Sequence, residues 1–199
     1  MKSEFSHLFI GIELDIKLVE RLTLVQEDLG RIIKARNADV RWVKPELIHL
    51  TLCFLGERDD SEVPDIKRAL DAVAPTFPCF PVTTAQLGAF PNPKMPRILF
   101  THVYEESGVL DHLKKKIDDE MGKLLIPLDK RPYLPHITLG RVRTPGVRLD
   151  FSDAIKAIGD LNFGTSDIFE VVLFGSSLHP SGPKYSVISR HLLNGALEK

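Results

Sequence analysis

The sequence has no apolar run of the length, about 18 residues or more, that a membrane-spanning helix needs. It begins Met-Lys-Ser-Glu-Phe-Ser-His, a polar start unlike a secretory signal. Cysteine is nearly absent, since Cys53 and Cys79 are the only two, and they lie in apolar stretches without metal-site spacing. We therefore expect a soluble, cytoplasmic protein whose cysteines are buried free thiols, rather than a disulfide or a nucleophile.

The chain also lacks an excess of positive charge. Its 26 lysines and arginines are balanced by 27 acidic residues, which gives a formal net charge of −1. This balance argues against a protein that coats nucleic acid, although a local basic cleft could still hold one terminus. With 43% hydrophobic residues, the 199-residue chain can bury a hydrophobic core without stabilising disulfides or metal ions. We expect one domain over 1–199.

Hydrophobic spacing predicts strands and helices that alternate in two similar rounds. Short β-branched apolar runs indicate strands, and apolar residues three and four apart indicate the buried face of a helix. The first round has a strand at 8–14, a helix at 16–35, strands at 40–43 and 48–55, a helix at 59–74, and strands at 80–87 and 97–103. The second has a helix at 107–124, a strand at 136–139, a weaker helix at 152–158, and strands at 169–178 and 185–192.

A single offset of 87 residues relates several features of the two rounds. It superposes His49 on His136, Thr51 on Thr138, Gly88 on Gly175, and Pro96-Arg97 on Pro183-Lys184. Shared order, type and spacing predict an internal duplication, with pseudo-repeats at roughly 1–103 and 104–199. If the halves pack around a pseudo-twofold axis, both His-x-Thr segments face one cleft.

The repeated His-x-Thr segments carry the chemistry. Residues two apart on a strand share a face, so His49 lies beside Thr51 and His136 beside Thr138. Cleavage of a phosphodiester by water needs a base and an acid, and histidine performs either task near neutral pH. Threonine hydroxyls can donate hydrogen bonds to phosphate oxygens. One such histidine would more often be structural, and a zinc site is the alternative, but two copies without a suitably spaced third ligand favour phosphate chemistry.

These motifs resemble those of the two-histidine phosphoesterases, specifically the RNA 2′,3′-cyclic phosphodiesterases once named 2′-5′ RNA ligases. The resemblance spans nearly the whole chain and rests on the segments 8–14, 41–43, 49–56, 87–91, 135–141 and 182–185. It implies a bilobal α+β fold in which antiparallel sheets line a central cleft and helices cover the outside. It also implies metal-independent opening of cyclic phosphate ends to 2′-phosphomonoesters, with no cofactor.

The resemblance also implies roles for individual residues. His49 matches the proton donor to the departing 3′ oxygen, and His136 matches the base that activates water. Thr51 and Thr138 match phosphate-binding threonines, and Arg141 matches an arginine near the phosphate. Because the position 87 residues before Arg141 is a phenylalanine, we expect its charge to act on the His136 side alone and keep that ring neutral.

The implied partner is RNA with a 2′,3′-cyclic phosphate terminus, whether a tRNA fragment or a small cyclic nucleotide, bound by a monomer without membrane contact. A binding module that holds RNA ends without turnover, and 2′-5′ ligation as a secondary reaction, remain alternatives. Base stacking or core packing is expected of four aromatic residues: Phe9, Trp42, Tyr133 and Tyr185. The remaining histidines, at 7, 102, 112, 179 and 191, are expected to be structural or exposed, and lysines 114–116 to be solvated rather than an RNA patch.

Overall fold

The computed structural model describes residues 7–34, 38–143, 150–159, 161–179 and 182–195. Within them lie nine strands and four α-helices. The first half of the chain contains β1 (His7–Glu13), α1 (Ile16–Lys34), β2 (Val40–Trp42), β3 (His49–Gly56), α2 (Val63–Val73) and β4 (Phe80–Phe90). The second contains β5 (Ile98–Tyr104), α3 (Val109–Lys123), β6 (His136–Val142), α4 (Ser152–Ile158), β7 (Asn162–Ile168), β8 (Glu170–His179) and β9 (Gly182–Leu192).

The strands form two antiparallel sheets. The four-stranded sheet has the order β3-β1-β8-β9, and the five-stranded sheet has the order β2-β6-β5-β4-β7. Each sheet contains one His-x-Thr strand next to the first strand of the same half, β3 beside β1 and β6 beside β5. The next strand comes from the other half in both cases, β8 beside β1 and β4 beside β5. The predicted α+β fold with antiparallel sheets is confirmed.

Helices cover the outer faces of the sheets in pairs. α2 contacts β9 and α3 contacts β3, so these helices cover the four-stranded sheet and also contact each other. α1 contacts β6 and β7, and α4 contacts α1 and β4, on the five-stranded sheet. α1, α2 and α3 each bury an apolar stripe at three- and four-residue steps, whereas α4 buries only Ala154. In α1 the buried apolar residues are Leu18, Val19, Leu22, Val25, Leu29 and Ile33, and in α3 they are Leu110, Leu113, Ile117 and Met121.

The structure differs from the sequence predictions at one strand and at the start of one helix. β7 was not predicted, because Gly164 and polar residues interrupt its apolar pattern; it forms by pairing with β4, and Phe163 and Ile168 are buried. The helix predicted from 59 begins as a 3₁₀ turn over Asp60–Glu62, and its α-helical part starts at Val63. No helix in the described ranges is long and apolar enough to cross a membrane.

The cysteines are free thiols, but only one is buried. Cys53 lies in the core, whereas Cys79 is half-exposed at the start of β4, so the predicted burial of Cys79 is wrong. Burial, together with the nearby carboxylate of Asp118, raises the pKa of the Cys53 thiol to about 12. Cys53 is therefore an uncharged thiol at neutral pH and a poor nucleophile.

Candidate active site

A cavity of about 600 Å³ opens where the two sheets converge. The structure brings the two histidines and two threonines of the repeated motifs together in its wall. From the four-stranded sheet the wall also receives His7, Phe9, Phe54, Ser176, Pro183 and Tyr185. From β2, β6 and the segment after β2 it receives Arg41, Trp42, Val43, Lys44, Leu47 and Arg141.

The two motif histidines are oriented by the same hydrogen bond. The Nδ1 atom of His49 lies 2.7 Å from the carbonyl oxygen of Leu47, and that of His136 lies 2.7 Å from the carbonyl oxygen of Leu134. Because a carbonyl only accepts hydrogen bonds, each Nδ1 carries a hydrogen. In both rings Nε2 is therefore the nitrogen that gains or loses a proton. The Nε2 atom of His49 also lies 3.0 Å from the hydroxyl oxygen of Thr51.

His49 is enclosed by aromatic rings. Its ring centroid lies 4.9 Å from Phe9, 5.4 Å from Tyr185 and 6.1 Å from Phe174. Burial lowers the pKa of His49 below the ordinary histidine value, and the field of His136 lowers it further, against the hydrogen bond to the main chain. Burial therefore favours the neutral form of His49.

His136 has a different set of neighbours. Its ring contacts Phe90 and Phe100, at centroid distances of 5.1 and 5.2 Å. His102 on β5 lies directly opposite His136 on β6. Burial lowers the pKa of His102, and the field of His136 lowers it further. His102, expected to be structural or exposed, thus borders the site as a neighbour of His136.

Arg141 reaches the cavity because β6 contains a β-bulge. Arg141 follows Thr138 by three residues, a spacing that would place the two side chains on opposite faces of a regular strand. However, the consecutive residues Phe100 and Leu99 oppose Thr138 and Gly140, so β6 has one extra residue at this point. The extra residue places Arg141 on the same side as Thr138.

The charge of Arg141 does not act on the His136 side alone. It lowers the pKa of Tyr185, which burial raises, and the Tyr185 ring lies 5.4 Å from that of His49. The expectation that Arg141 distinguishes the two histidines stays a prediction. The enclosure of His49 by aromatic rings, which local sequence patterns did not predict, lowers the pKa of His49.

Two cationic residues of the cavity were not predicted. Arg41 on β2 lies directly opposite Arg141 on β6, and Lys44 follows in the same wall. The Arg41 guanidinium lies against Gly182 of β9, whose φ of +124° is a backbone conformation that favours glycine. The conjunction of these cations depends on the pairing of β2 with β6, which the sequence pattern does not reveal.

The predicted aromatic residues occupy different positions. Phe9 borders the cavity but is 4% exposed, and its ring contacts His49 and Phe174, so it supports His49 and has little surface left for a base. Tyr185 and Trp42 border the cavity and are half-buried. Tyr133 does not line the cavity, and its hydroxyl instead donates a hydrogen bond to the carbonyl of Thr51 at 3.0 Å.

The remaining polar predictions have mixed outcomes. His7 borders the cavity, His112 is exposed on α3, and the side chain of His179 lies outside the described residues. His191 is buried, between the Asp71 carboxylate at 2.6 Å and the Ser189 hydroxyl at 2.8 Å. Of lysines 114–116, Lys114 is not simply solvated: it pairs with Asp118 and lies 5.2 Å from the ring of Tyr133. In the described ranges no three histidine, cysteine or carboxylate side chains converge as metal ligands.

Comparison with known proteins gives consistent results. The family model described as LigT like Phosphoesterase matches residues 15–100 and 104–185. A protein of Archaeoglobus fulgidus named RNA 2′,3′-cyclic phosphodiesterase is 31% identical over 178 residues, which cover 89% of this chain and 95% of the relative. A protein of Methanothermobacter thermautotrophicus with the same name is 29% identical over 178 residues, which cover 89% of this chain and 94% of the relative.

A crystal structure from Thermus thermophilus superposes with a TM-score of 0.79 at 28% identity, covering 95% of this chain and 98% of the other. Escherichia coli LigT complexed with 3′-AMP shares the fold, with a TM-score of 0.71 at 21% identity over 96% and 99% of the two chains.

Proposed function

Because the chain belongs to the LigT-like phosphoesterases, we propose that it hydrolyses 2′,3′-cyclic phosphodiesters at RNA ends to 2′-phosphomonoesters, without a metal ion. One observation carries the proposal: two histidines, each with Nδ1 committed to a carbonyl and a threonine two residues away, border a single cavity. The relatives named RNA 2′,3′-cyclic phosphodiesterase support this choice of substrate.

The proposed reaction needs one proton acceptor and one proton donor. Nε2 of His136 accepts a proton from water, whose oxygen forms a bond to phosphorus. The bond between phosphorus and the 3′ oxygen breaks, and Nε2–H of His49 donates its proton to that oxygen. The product has a 2′-phosphate and a 3′-hydroxyl, and the two rings end in exchanged protonation states, which proton exchange with solvent restores.

The substrate itself has to favour the protonated form of His49, because burial favours the neutral form. A cyclic phosphate carries one negative charge, and an anion within a few ångströms raises the pKa of an imidazole. The proton donor is therefore completed by substrate binding. Once His49 is protonated, its Nε2–H can be given up to the departing oxygen.

The threonines and cations supply the electrostatic part of the proposal. Thr51 and Thr138 donate hydrogen bonds to the nonbridging phosphate oxygens, where negative charge accumulates in the transition state. Arg41, Lys44 and Arg141 form the cationic wall of the cavity and bind the phosphate and the adjoining RNA backbone. This local cluster explains how a chain with a net charge of −1 can bind an RNA end.

The test is hydrolysis of an oligonucleotide that ends in a 2′,3′-cyclic phosphate, measured with EDTA present. His49→Ala and His136→Ala are each expected to lower kcat by about 10²- to 10⁴-fold, the usual value of general acid or base catalysis. His112→Ala, which changes an exposed histidine on α3, is the matched control and is expected to retain the wild-type rate.

Three outcomes would count against this proposal in different ways. Near wild-type rates in either active-site variant would overturn the two-histidine mechanism. Tight binding of the cyclic-ended oligonucleotide without hydrolysis would favour a binding module. A 3′-phosphate product would reverse the leaving group and therefore the donor assignment.

A further inference from the structure

We propose that Tyr133 is a positioning residue that fixes the distance between the two His-x-Thr motifs. This inference rests on the proposed function and specifies what holds the active site in register. The hydroxyl of Tyr133 donates a hydrogen bond to the main-chain carbonyl of Thr51 at 3.0 Å, which joins residues 82 apart in the chain. Tyr133 does not line the cavity, so it acts through residues that do.

The bond holds Thr51 without occupying its side chain. The carbonyl accepts the hydrogen bond, and the Thr51 hydroxyl remains in the cavity wall, 3.0 Å from Nε2 of His49. Among the described strands, β1 alone pairs with β3, which lies at the edge of the four-stranded sheet. Tyr133, from the second half of the chain, therefore gives this edge strand a fixed point outside its own sheet.

The segment that contains Tyr133 also orients His136. The carbonyl of Leu134 accepts the hydrogen bond from Nδ1 of His136 at 2.7 Å. The next carbonyl, that of Pro135, accepts one from the main-chain N–H of Val103 on β5 at 3.0 Å. A residue before proline favours extended backbone, which limits movement at Leu134. Tyr133 is thus joined to His136 by a short, restrained segment, and its hydroxyl extends that restraint to the other motif.

The Tyr133 side chain is itself held in place. Its ring packs against the hydrophobic core, and the ammonium group of Lys114 lies 5.2 Å from the ring centroid. Lys114 is held in turn by an ion pair with Asp118. Burial raises the pKa of the Tyr133 hydroxyl, and the carboxylates of Asp111 and Asp118 raise it further. The hydroxyl therefore keeps its hydrogen at neutral pH and remains a donor.

The support runs in one direction, from the second half to the first. The residue 87 positions before Tyr133 is Glu46, whose exposed side chain lies 3.9 Å from Lys44. An ionised carboxylate only accepts hydrogen bonds, so Glu46 cannot supply the same bond to the carbonyl of Thr138. Loss of the Tyr133 hydroxyl should therefore affect phosphate binding through Thr51 and not through Thr138.

The test is a pair of double-mutant cycles in the binding of inorganic phosphate, measured by calorimetry. Tyr133→Phe removes the hydroxyl and keeps the ring. It is expected to weaken phosphate binding by about 2- to 10-fold, the equivalent of one hydrogen bond. In a Thr51→Ala background it should have no further effect, whereas in a Thr138→Ala background it should have its full effect. A general loosening of the fold would weaken binding in both backgrounds.

The matched control is Tyr104→Phe, which removes a hydroxyl that donates to the Gln86 side chain at 2.6 Å outside the cavity wall. It is expected to leave phosphate binding unchanged. Unchanged phosphate binding in Tyr133→Phe, or a loss that persists in the Thr51→Ala background, would overturn the positioning role. If phosphate binds too weakly for calorimetry, kcat/KM for adenosine 2′,3′-cyclic phosphate supplies the same cycles.

Turnover of adenosine 2′,3′-cyclic phosphate by wild type separates this result from the proposed function. Coupling between Tyr133 and Thr51 in phosphate binding, without any turnover, would reject the reaction and keep the positioning role. Turnover without that coupling would do the reverse. A wild-type protein that neither binds phosphate nor turns over the cyclic nucleotide would overturn both.

Discussion

Two histidines of identical type and equivalent position become chemically distinct through their neighbours. Both have Nδ1 committed to a main-chain carbonyl at 2.7 Å, so the difference does not lie in the tautomer. The neighbours differ: the rings of Phe9, Phe174 and Tyr185 enclose His49, whereas Phe90 and Phe100 contact His136. Such surroundings favour the neutral imidazole, so in the proposed reaction His49 becomes a proton donor when the anionic substrate binds.

The imidazole of His49 is expected to titrate below the ordinary histidine value of about 6.5 in the free protein. Adding inorganic phosphate should raise this pKa, because the anion stabilises imidazolium. His136→Asn should also raise it, because the field of His136 is one cause of the lowering. NMR titration of the ring resonances measures all three values. A midpoint at or above 6.5 in the free wild-type protein would contradict the account of His49 as a buried, neutral ring.

Among the elements, the bulged strands β3 and β6 and the short strand β2 determine which side chains reach the cavity. Both bulged strands carry one extra residue shortly after the His-x-Thr motif. β2 lies along β6 and places Arg41 opposite Arg141. Its close approach depends on Gly140, where a Cβ would lie 2.7 Å from the side chain of Val40 and 2.9 Å from that of Trp42.

Gly140→Ala is expected to push β2 away from β6 and displace Arg41. Overpacking of this kind costs about 1–3 kcal/mol of unfolding free energy, and the displaced cation should raise KM more than it lowers kcat. Urea unfolding and steady-state kinetics measure the two effects. The matched control is Gly122→Ala on α3, where nothing lies within 4 Å of the added Cβ. It should raise stability by about 0.5–1 kcal/mol and leave KM unchanged. Equal stabilities for the two variants would show that Gly140 is not a packing requirement.

Local patterns predicted the elements that burial governs, but not the features that depend on pairing. The buried stripe of α1 and the alternation of buried and partly exposed residues in β3 involve residues only a few positions apart in the chain. Both elements could therefore be located from the sequence. The orientation of Phe54 and Arg141 depends on bulges that appear only when each strand meets its partner. The same reason explains why β7 was missed, since its strand conformation comes from β4 rather than from its own residues.

At the scale of the whole molecule, the two halves exchange elements. β4 lies in the five-stranded sheet beside β5, and β8 lies in the four-stranded sheet beside β1. The helices follow the same pattern: α1 contacts β6 and β7 of the second half, and α3 contacts β3 of the first half. Since β5 pairs with β6 as β1 pairs with β3, we propose that the repeats divide before β5. The division near residue 103 predicted from the sequence would separate β5 from β6.

This exchange predicts that neither half folds alone. Cutting the chain between Lys94 and Met95, in the exposed connection between β4 and β5, gives fragments 1–94 and 95–199 with one motif histidine each. Each fragment lacks strands and a covering helix of its own sheet, so neither should show a cooperative thermal transition. When the two fragments are mixed and refolded together, they should recover both the cooperative thermal transition and the hydrolytic activity. Circular dichroism and hydrolysis assays test this, and a sigmoidal melt of either fragment alone would refute it.

The exchange of strands between the two halves also limits which substitutions the protein can accept during evolution. A substitution in β4 must remain compatible with its neighbour β5 in the other half, so the interiors of the two halves cannot change independently. The positions of Phe54 and Arg141 border open space, where a new side chain displaces no partner strand. If the two halves arose by the duplication we infer, these are positions at which they can differ without disturbing the sheets. We therefore expect related proteins to change ligand preference by substitutions at the positions of Phe54 and Arg141, and to retain both motif histidines.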